Sequence, residues 1–428
     1  DSCIFTYTEE NGHTCMIGTH VDDLLVASTK GFFEILTKAL NDYYPDGIKT
    51  QTADQFLGCR IIRDREKGEI RLSQKERIDN LKEMFKIEDI YDTILPEGKK
   101  RTEIFELESL ALTEEDQQKT LDEVNSNDKL PNFESYSEVK SYYRSYTGNL
   151  VFLCCYGRPD IQSTVYRLAR YQESPSIKHI MAVRHVIGYL VHSREKELIF
   201  GRQKMDEILV THTDSSYADC PASGRSSGGY IHYLFGNYLS SRSFKINCVT
   251  RSVTAAEFYV MSAAAADSIY FRNLYNETVR PVMNNVLVKS DIVGEQVKGE
   301  WKEVKTVSLT HSGLELGNEI LLSKECNPYM WMNEVDTVVY CDNSSAILQA
   351  KSGSNKRSKH IRIHNSYIWE QMHIFGNIRV GKIDTELNSA DLQTKLLKTE
   401  LFDKHSKTIM GHNTIFNANV AISYYNTI

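Results

Sequence analysis

Between Ile208 and Asp214 the chain reads Ile-Leu-Val-Thr-His-Thr-Asp, a run that predicts a strand closing on an acid. A glycine-punctuated hairpin follows, Gly229–Phe235 returning as Tyr238–Ser241, with Gly236-Asn237 at the turn. Thr254–Phe258 opens a helix that carries Glu257 in its first turn, and Thr337–Asp342 is a second apolar strand ending on an acid. A helix, a strand near Ile378–Ile383 and a helix start at Asn388–Leu392, carrying Asp391, complete the order β-β-β-α-β-α-β-α.

The first hundred residues have a different texture. Cys3–Tyr7 and Thr14–Asp23 predict a hairpin about a polar turn containing Asn11-Gly12. Asp22-Asp23 then falls at a tight turn before the apolar run Leu24–Ala27. Phe32–Leu40 has helical spacing, and Ile78, Leu81 and Phe85 mark a second helix opening near Lys75. Residues 101–135 are acidic and weakly periodic, which predicts a flexible linker, partly helical at most. From Tyr142 to Phe200 the pattern is helical, with starts at Arg158-Pro159 and Ser174-Pro175.

Composition changes this picture little. A chain of 428 residues accommodates two or three domains. Its longest apolar run, Leu150–Tyr156, is far too short to span a bilayer, so no membrane partner is expected. Nine scattered cysteines without a CxxC pair argue for reduced thiols rather than a disulfide framework or a zinc site. The net charge of −7 is local: Glu103 to Glu138 holds 11 acids and 2 lysines, so the remainder is −7 − (−9) = +2. Whole-chain acidity therefore excludes no nucleic-acid partner.

Asp214, Glu257, Asp342 and Asp391 sit at strand ends and helix starts, which lie at the same edge when a sheet and its helices stack. Like charges at ~4 Å repel by roughly 4 kcal/mol at an effective dielectric of 20, so such a cluster requires protons or divalent cations. Oxygen-only ligands favour Mg²⁺ or Mn²⁺, and two such ions suit phosphodiester cleavage. Each acid also has a plainer explanation. Thr254-x-x-Glu257 fits a capping box, Asp391 suits a helix N-terminus and Asp342 fits a helix cap. Asp214 has none, because an acid closing an apolar strand needs a partner.

The strings Thr213–Ala218, Arg225–Tyr230, Ala256–Phe258, Tyr340–Ala346, Ser358–Ile361 and Ala390–Lys395 resemble, in order, the ribonuclease H domain of copia-type LTR retrotransposon Pol polyproteins. His20–Asp23, Phe56–Arg63 and Leu72–Lys75 resemble the metal-binding turn, primer grip and thumb of the same elements' reverse transcriptase. The resemblance implies a fold that is α/β and α+β: a partial palm and thumb (1–100), an acidic linker (101–140), a helical connection (141–205) and a ribonuclease H-like domain with a mixed five-stranded sheet (206–412). Residues 278–334 fit nothing in the family and read as a lineage-specific insertion or as non-coding sequence retained in a gene model, and 413–428 as a tail. Opening on Asp1, the chain reads as a piece of something longer.

By the same resemblance the four carboxylates hold two Mg²⁺, with Mn²⁺ an alternative, and hydrolyse the RNA strand of RNA–DNA hybrids. His360 (or His364) supplies a histidine that assists product release, and Asp22 and Asp23 hold the polymerase metal. Lys356, Arg357, Lys359 and Arg362 form an acid-free basic stretch suited to phosphates, and Arg158 is a further phosphate contact. Partners are retroelement RNA and DNA and the rest of Pol, upstream polymerase and integrase included, in a cytoplasmic virus-like particle or the nucleus. Departures temper this: His20 stands where the family has Tyr, Ser216 and Arg362 replace acids, and the third polymerase carboxylate would precede residue 1. DNA synthesis is thus expected only of the full polyprotein. A decayed remnant that binds nucleic acid without cleaving is the competing expectation, and another nuclease of the same fold, such as an integrase, is a more distant one.

Overall fold

The computed structural model describes residues 3–9, 13–44, 46–98, 103–105, 112–201, 208–220, 223–282, 293–297, 300–304, 308–310, 313–315, 337–353 and 360–413. The chain divides into two compact units, one of residues 1–56, 204–209 and 266–337, the other of 57–203, 210–265 and 338–428.

In the first unit β1 (Ile4–Thr8), β2 (Thr14–His20) and β3 (Asp23–Ser28) form an antiparallel meander, followed by α1 (Lys30–Tyr43). His20 pairs with Asp23, so Val21-Asp22 is a two-residue turn. Val21 there has φ of 56°, an uncommon conformation for a β-branched residue. Two short antiparallel hairpins, Val293–Val297 with Glu300–Val304 and Ser308–Thr310 with Gly313–Glu315, lie within the stretch 278–334 that reads in sequence as an insertion. Of the strand expected over 304–309, Val304 falls in the first hairpin and Ser308-Leu309 in the second.

The second unit opens with β4 (Cys59–Asp64), β5 (Glu69–Ser73) and α2 (Lys75–Met84). Next come α3 (Glu114–Asn125), α4 (Tyr136–Cys155), α5 (Gln162–Ala169), α6 (Ile177–His192) and β6 (Leu198–Phe200), which pairs with β5. Within the acidic stretch, α3 is a capped helix. Thr113 and Asp116 form a reciprocal capping box, and Leu121 and Val124 are buried where α3 meets α4 and α6. That apolar pair, three residues apart, is a short stripe that the surrounding acids obscure in the sequence.

The same unit contains β7 (Leu209–Ser216), β8 (Ser227–Leu234), β9 (Asn237–Lys245), α7 (Val253–Leu274, from its start to Ala265), β10 (Thr337–Cys341, from Val338), α8 (Ser344–Ser352), α9 (Arg362–His373), β11 (Arg379–Lys382), the turn of helix α10 (Asp391–Thr394) and α11 (Thr399–Ile409). The sheet order is β9-β8-β7-β10-β11, with β8/β9 antiparallel and β10/β11 parallel. This is the expected mixed five-stranded sheet. Two helices, rather than one, separate β10 from β11. The hairpin turns on Phe235-Gly236 (φ 49° and 75°), one residue earlier than expected, because a two-residue turn of this hand needs positive φ at both positions.

Two adjacent glycines set the layer spacing. A Cβ on Gly228 would lie 2.5 Å from Val260 of α7, and one on Gly229 would lie 2.5 Å from Gln393 Cβ of α10. Their bare backbone lets α7 close over one face of β8 and α10 over the other. Tyr230, Ile246, Ala256, Val260 and Ala264 fill the α7 side. Gln162 of α5 donates to Ser241 O at 3.2 Å, and Arg167 to Thr394 O, so the connection helices brace the same sheet.

Candidate active site

Asp214 lies near the end of β7, buried to 1% exposure, where strand geometry carries it toward the sheet edge. Asp342 directly follows β10, the neighbouring strand. It does not cap the next helix: Asn343 does, accepting from Ala346 N–H at 3.0 Å. Asp342 instead accepts from Thr385 Oγ1 at 3.0 Å. Glu257 is likewise no cap. The helix starts at Val253, Ser252 Oγ takes the Ala255 N–H at 3.1 Å, and Glu257 reaches Ser215 Oγ at 2.8 Å and Cys341 Sγ at 3.7 Å.

The segment before Asp391 is tied to the Asp214 strand. Asn388 Nδ2 donates to Thr213 O at 2.9 Å, while Ser389 Oγ meets His212 Nδ1 at 2.8 Å and Tyr233 OH at 2.7 Å. Asp391 is thereby brought beside Asp214. Carboxylate oxygens of Asp214, Asp342 and Asp391 lie within 4.8 Å of one another, and ligand atoms of Glu257, Cys341 and Asp342 form a second such group. Asp342 belongs to both groups, so the four acids form one continuous cluster.

The electrostatics register the crowding. Burial, then the Asp214 charge, pushes the Glu257 carboxyl up to about 8. Asp391 is pushed up to about 7 by the same two causes, and burial also raises Asp214. Burial first, and then mutual repulsion, favours the protonated forms of these acids. Lys395 offsets part of this at Asp214 and Asp391. Its Nζ lies 2.7 Å from Asp391 Oδ1 and 3.1 Å from Asp214 Oδ1, while Thr394 Oγ1 donates to Asp214 Oδ2. Burial opposes the Lys395 charge, but the two aspartates outweigh it and raise its pKa. A convergent, mostly oxygen donor set with excess negative charge fits hard divalent cations.

Other expected residues are placed differently. Asp22 and Asp23 are exposed at the β2–β3 turn of the first unit. His360 is exposed just ahead of α9, and Arg362 is exposed as the first residue of that helix. His364 packs its ring on Tyr259 at 4.1 Å, two residues from Glu257 on α7. Lys356, Arg357 and Lys359 lie outside the described residues. Arg158 requires a correction. It is fully buried, bonded through Nε and Nη2 to both Asp160 oxygens at 2.9 and 3.0 Å and to Ser193, so it has no surface to offer a phosphate. Arg167 is similarly engaged, with Asp219 at 2.6 Å.

Sequence reasoning passed over Lys395, Thr394, Ser215 and Cys341. Lys395 was detectable: an acid four residues before a lysine, on one helical turn, is a recognisable ion-pair spacing. Ser215 and Cys341 are strand neighbours of Asp214 and Asp342, and only the packing of α7 makes them contacts of Glu257.

No protein-family model matches the chain. The Retrovirus-related Pol polyprotein from transposon TNT 1-94 of Nicotiana tabacum is 24% identical over 415 residues, 96% of this chain and 26% of that protein. The corresponding polyprotein from transposon RE2 of Arabidopsis thaliana is 26% identical over 62% of this chain and 15% of its own length. Secreted RxLR effector protein 161 of Plasmopara viticola is 30% identical over 128 residues, 30% of this chain and 89% of that protein. Among solved structures, LC11-RNase H1 isolated from compost is 15% identical, with 47% of this chain and 98% of that one covered at a TM-score of 0.26. The chain spans about a quarter or less of the Pol polyproteins it matches. Its match to TNT 1-94 runs almost from end to end, and the chain is similar in sequence to the retrovirus-related Pol polyproteins of copia-type transposons.

Proposed function

We propose that the second unit hydrolyses the RNA strand of RNA–DNA hybrids, using two divalent ions held by Asp214, Glu257, Asp342 and Asp391. The observation that carries this reading is the sharing of Asp342 between two ligand groups, each with its atoms within 4.8 Å. One such group suits a single ion, and two groups joined by a common carboxylate suit a pair. Bound there, Mg²⁺ or Mn²⁺ would supply activation of an attacking water and neutralisation of charge on the leaving oxygen.

The chain's own residues prepare the site. Ser215 fixes one Glu257 oxygen through its hydroxyl, and Thr385 fixes Asp342. Thr394 orients Asp214, and Arg167 anchors the carbonyl of that same Thr394. His360, exposed beside the basic stretch that contains Lys356, Arg357 and Lys359, would meet the product strand, and Arg362 a phosphate. In the whole polyprotein, Asp22 and Asp23 would hold the metal of RNA-directed DNA synthesis, with the remaining polymerase elements and integrase as neighbours in a cytoplasmic particle.

The test is cleavage of an end-labelled RNA–DNA hybrid by the full chain with Mg²⁺, Mn²⁺ or EDTA, beside Asp342→Asn. RNA–RNA and DNA–DNA duplexes serve as controls. Metal-dependent cutting of the hybrid's RNA strand, absent from the variant, is expected. A folded chain that binds hybrid and leaves it intact would instead identify a decayed, non-cleaving remnant.

A further inference from the structure

Lys395 is a charged group of the site that takes no part in the proposed hydrolysis. Lys395 lies one helical turn beyond Asp391, and its N–H donates to Asp391 O at 2.9 Å. Its ammonium lies 2.7 Å from Asp391 and 3.1 Å from Asp214, each contact to a single oxygen. The carrying segment is itself fixed to both acids, because the adjacent Thr394 hydroxyl donates to the other Asp214 oxygen. The ammonium is therefore seated between the two carboxylates by the backbone of α10.

Geometry makes this position exclusive. An Mg²⁺ ligated by the same two oxygens would stand about 2.0–2.1 Å from each, in the gap that Nζ spans. A divalent ion and an ammonium repel and cannot both fill it. The lysine side chain is 34% exposed, unbranched and flexible, so it can leave by changing rotamer, without movement of the sheet.

Resting on the assignment of Asp214 and Asp391 as metal ligands, we propose that Lys395 is a built-in competitor of the metal. Its ammonium holds Asp214 and Asp391 together as an ion pair and must vacate the gap before both can ligate a divalent ion. Lys395 thereby raises the metal concentration the site requires.

The experiment measures Mn²⁺ binding directly, by calorimetry on the full chain without nucleic acid, for wild type, Lys395→Met and Lys395→Gln. Both neutral variants are expected to bind Mn²⁺ about tenfold more tightly, equivalent to about 1.4 kcal/mol. Their melting temperatures should fall below wild type in EDTA and recover at saturating Mn²⁺. The Gln variant keeps a polar terminus, so agreement between the two assigns the effect to charge. Equal or weaker Mn²⁺ binding by both variants overturns the proposal, as does absence of binding in all three chains. Tighter binding without hybrid cleavage supports the proposal and sinks the hydrolytic reading alone.

Discussion

Glu257→Gln separates the electrostatics of the site from its architecture. The amide has the shape of the protonated acid and keeps an oxygen for Ser215, which now donates to Glu257 Oε1 at 2.8 Å. Burial and the Asp214 charge move the carboxyl from its ordinary 4.5 to about 8. A carboxyl raised in this way retains its proton in the folded chain while the unfolded chain releases it. Its contribution to stability is full below pH 4.5 and is lost as pH rises toward 8. Four buried histidines work in the opposite sense. His179 and His405 are lowered to about 4, and His212 and His232 to about 3, so unfolding takes up their protons in acid and stability rises toward pH 6.5.

Above 6.5 those histidines give up their remaining unfolded-state protons alike in wild type and variant, so they cancel when the two proteins are compared. Across the window from pH 6.5 to 8, one proton at Glu257 is worth roughly 1.4 kcal/mol per pH unit, or about 2 kcal/mol in all. Asp391 adds a smaller fall ending near 7, and it persists in the variant because burial, Asp214 and Asp342 raise it. Urea denaturation of the full chain in EDTA at pH 6.5, 7.2 and 8 reads the difference. Wild type should lose about 2 kcal/mol more than Glu257→Gln over that span, on top of what it has already lost between pH 4.5 and 6.5. Mn²⁺ should reverse the wild-type slope, since metal favours the ionised acid. Parallel profiles for the two proteins in EDTA would refute the argument, because Glu257 would then titrate alike folded and unfolded.

Further outcomes follow from other contacts. Asp342→Asn should abolish hybrid cleavage yet leave the melting temperature in EDTA unchanged or raised, since the Asp342 charge burdens Asp214, Glu257 and Asp391 alike; a large drop in melting temperature would make Asp342 structural. Arg158→Met should cost about 3–5 kcal/mol by stranding buried Asp160, with hybrid affinity per folded molecule unchanged; weakened affinity in a filter-binding titration would restore a phosphate contact. Gly229→Ala would force a Cβ within 2.5 Å of Gln393 Cβ and 2.9 Å of Thr394 Cγ2. It should destabilise by about 1–3 kcal/mol and weaken Mn²⁺ binding, and a calorimetric titration matching wild type would show that α10 can shift without moving Asp391.

What the sequence disclosed and what it concealed divide along a physical line. Strand ends and helix starts are local, so Asp214, Glu257, Asp342 and Asp391 could be placed near one edge from spacing alone, and the described site brings them together. The caps read beside them were also local, yet Ser252 and Asn343 hold those roles, each displaced by one or two residues from the expected position. Such displacements decide chemistry, because a capping acid is consumed by the backbone whereas a residue just beyond it is free to face its counterparts. Arg158 marks the other side of the line. Beside Pro159 it looks like any basic helix start, and only the arrival of Ser193 and Ser406 around Asp160 turns it into a buried ion pair. Lys395 combines both cases. Its spacing to Asp391 is written in the sequence, but its contact with Asp214, 181 residues earlier, exists only because Asn388 and Ser389 bond the segment to β7. The cation that tempers the site thus arrives on the element that delivers its fourth carboxylate, and the Asn388 and Ser389 contacts bring in both.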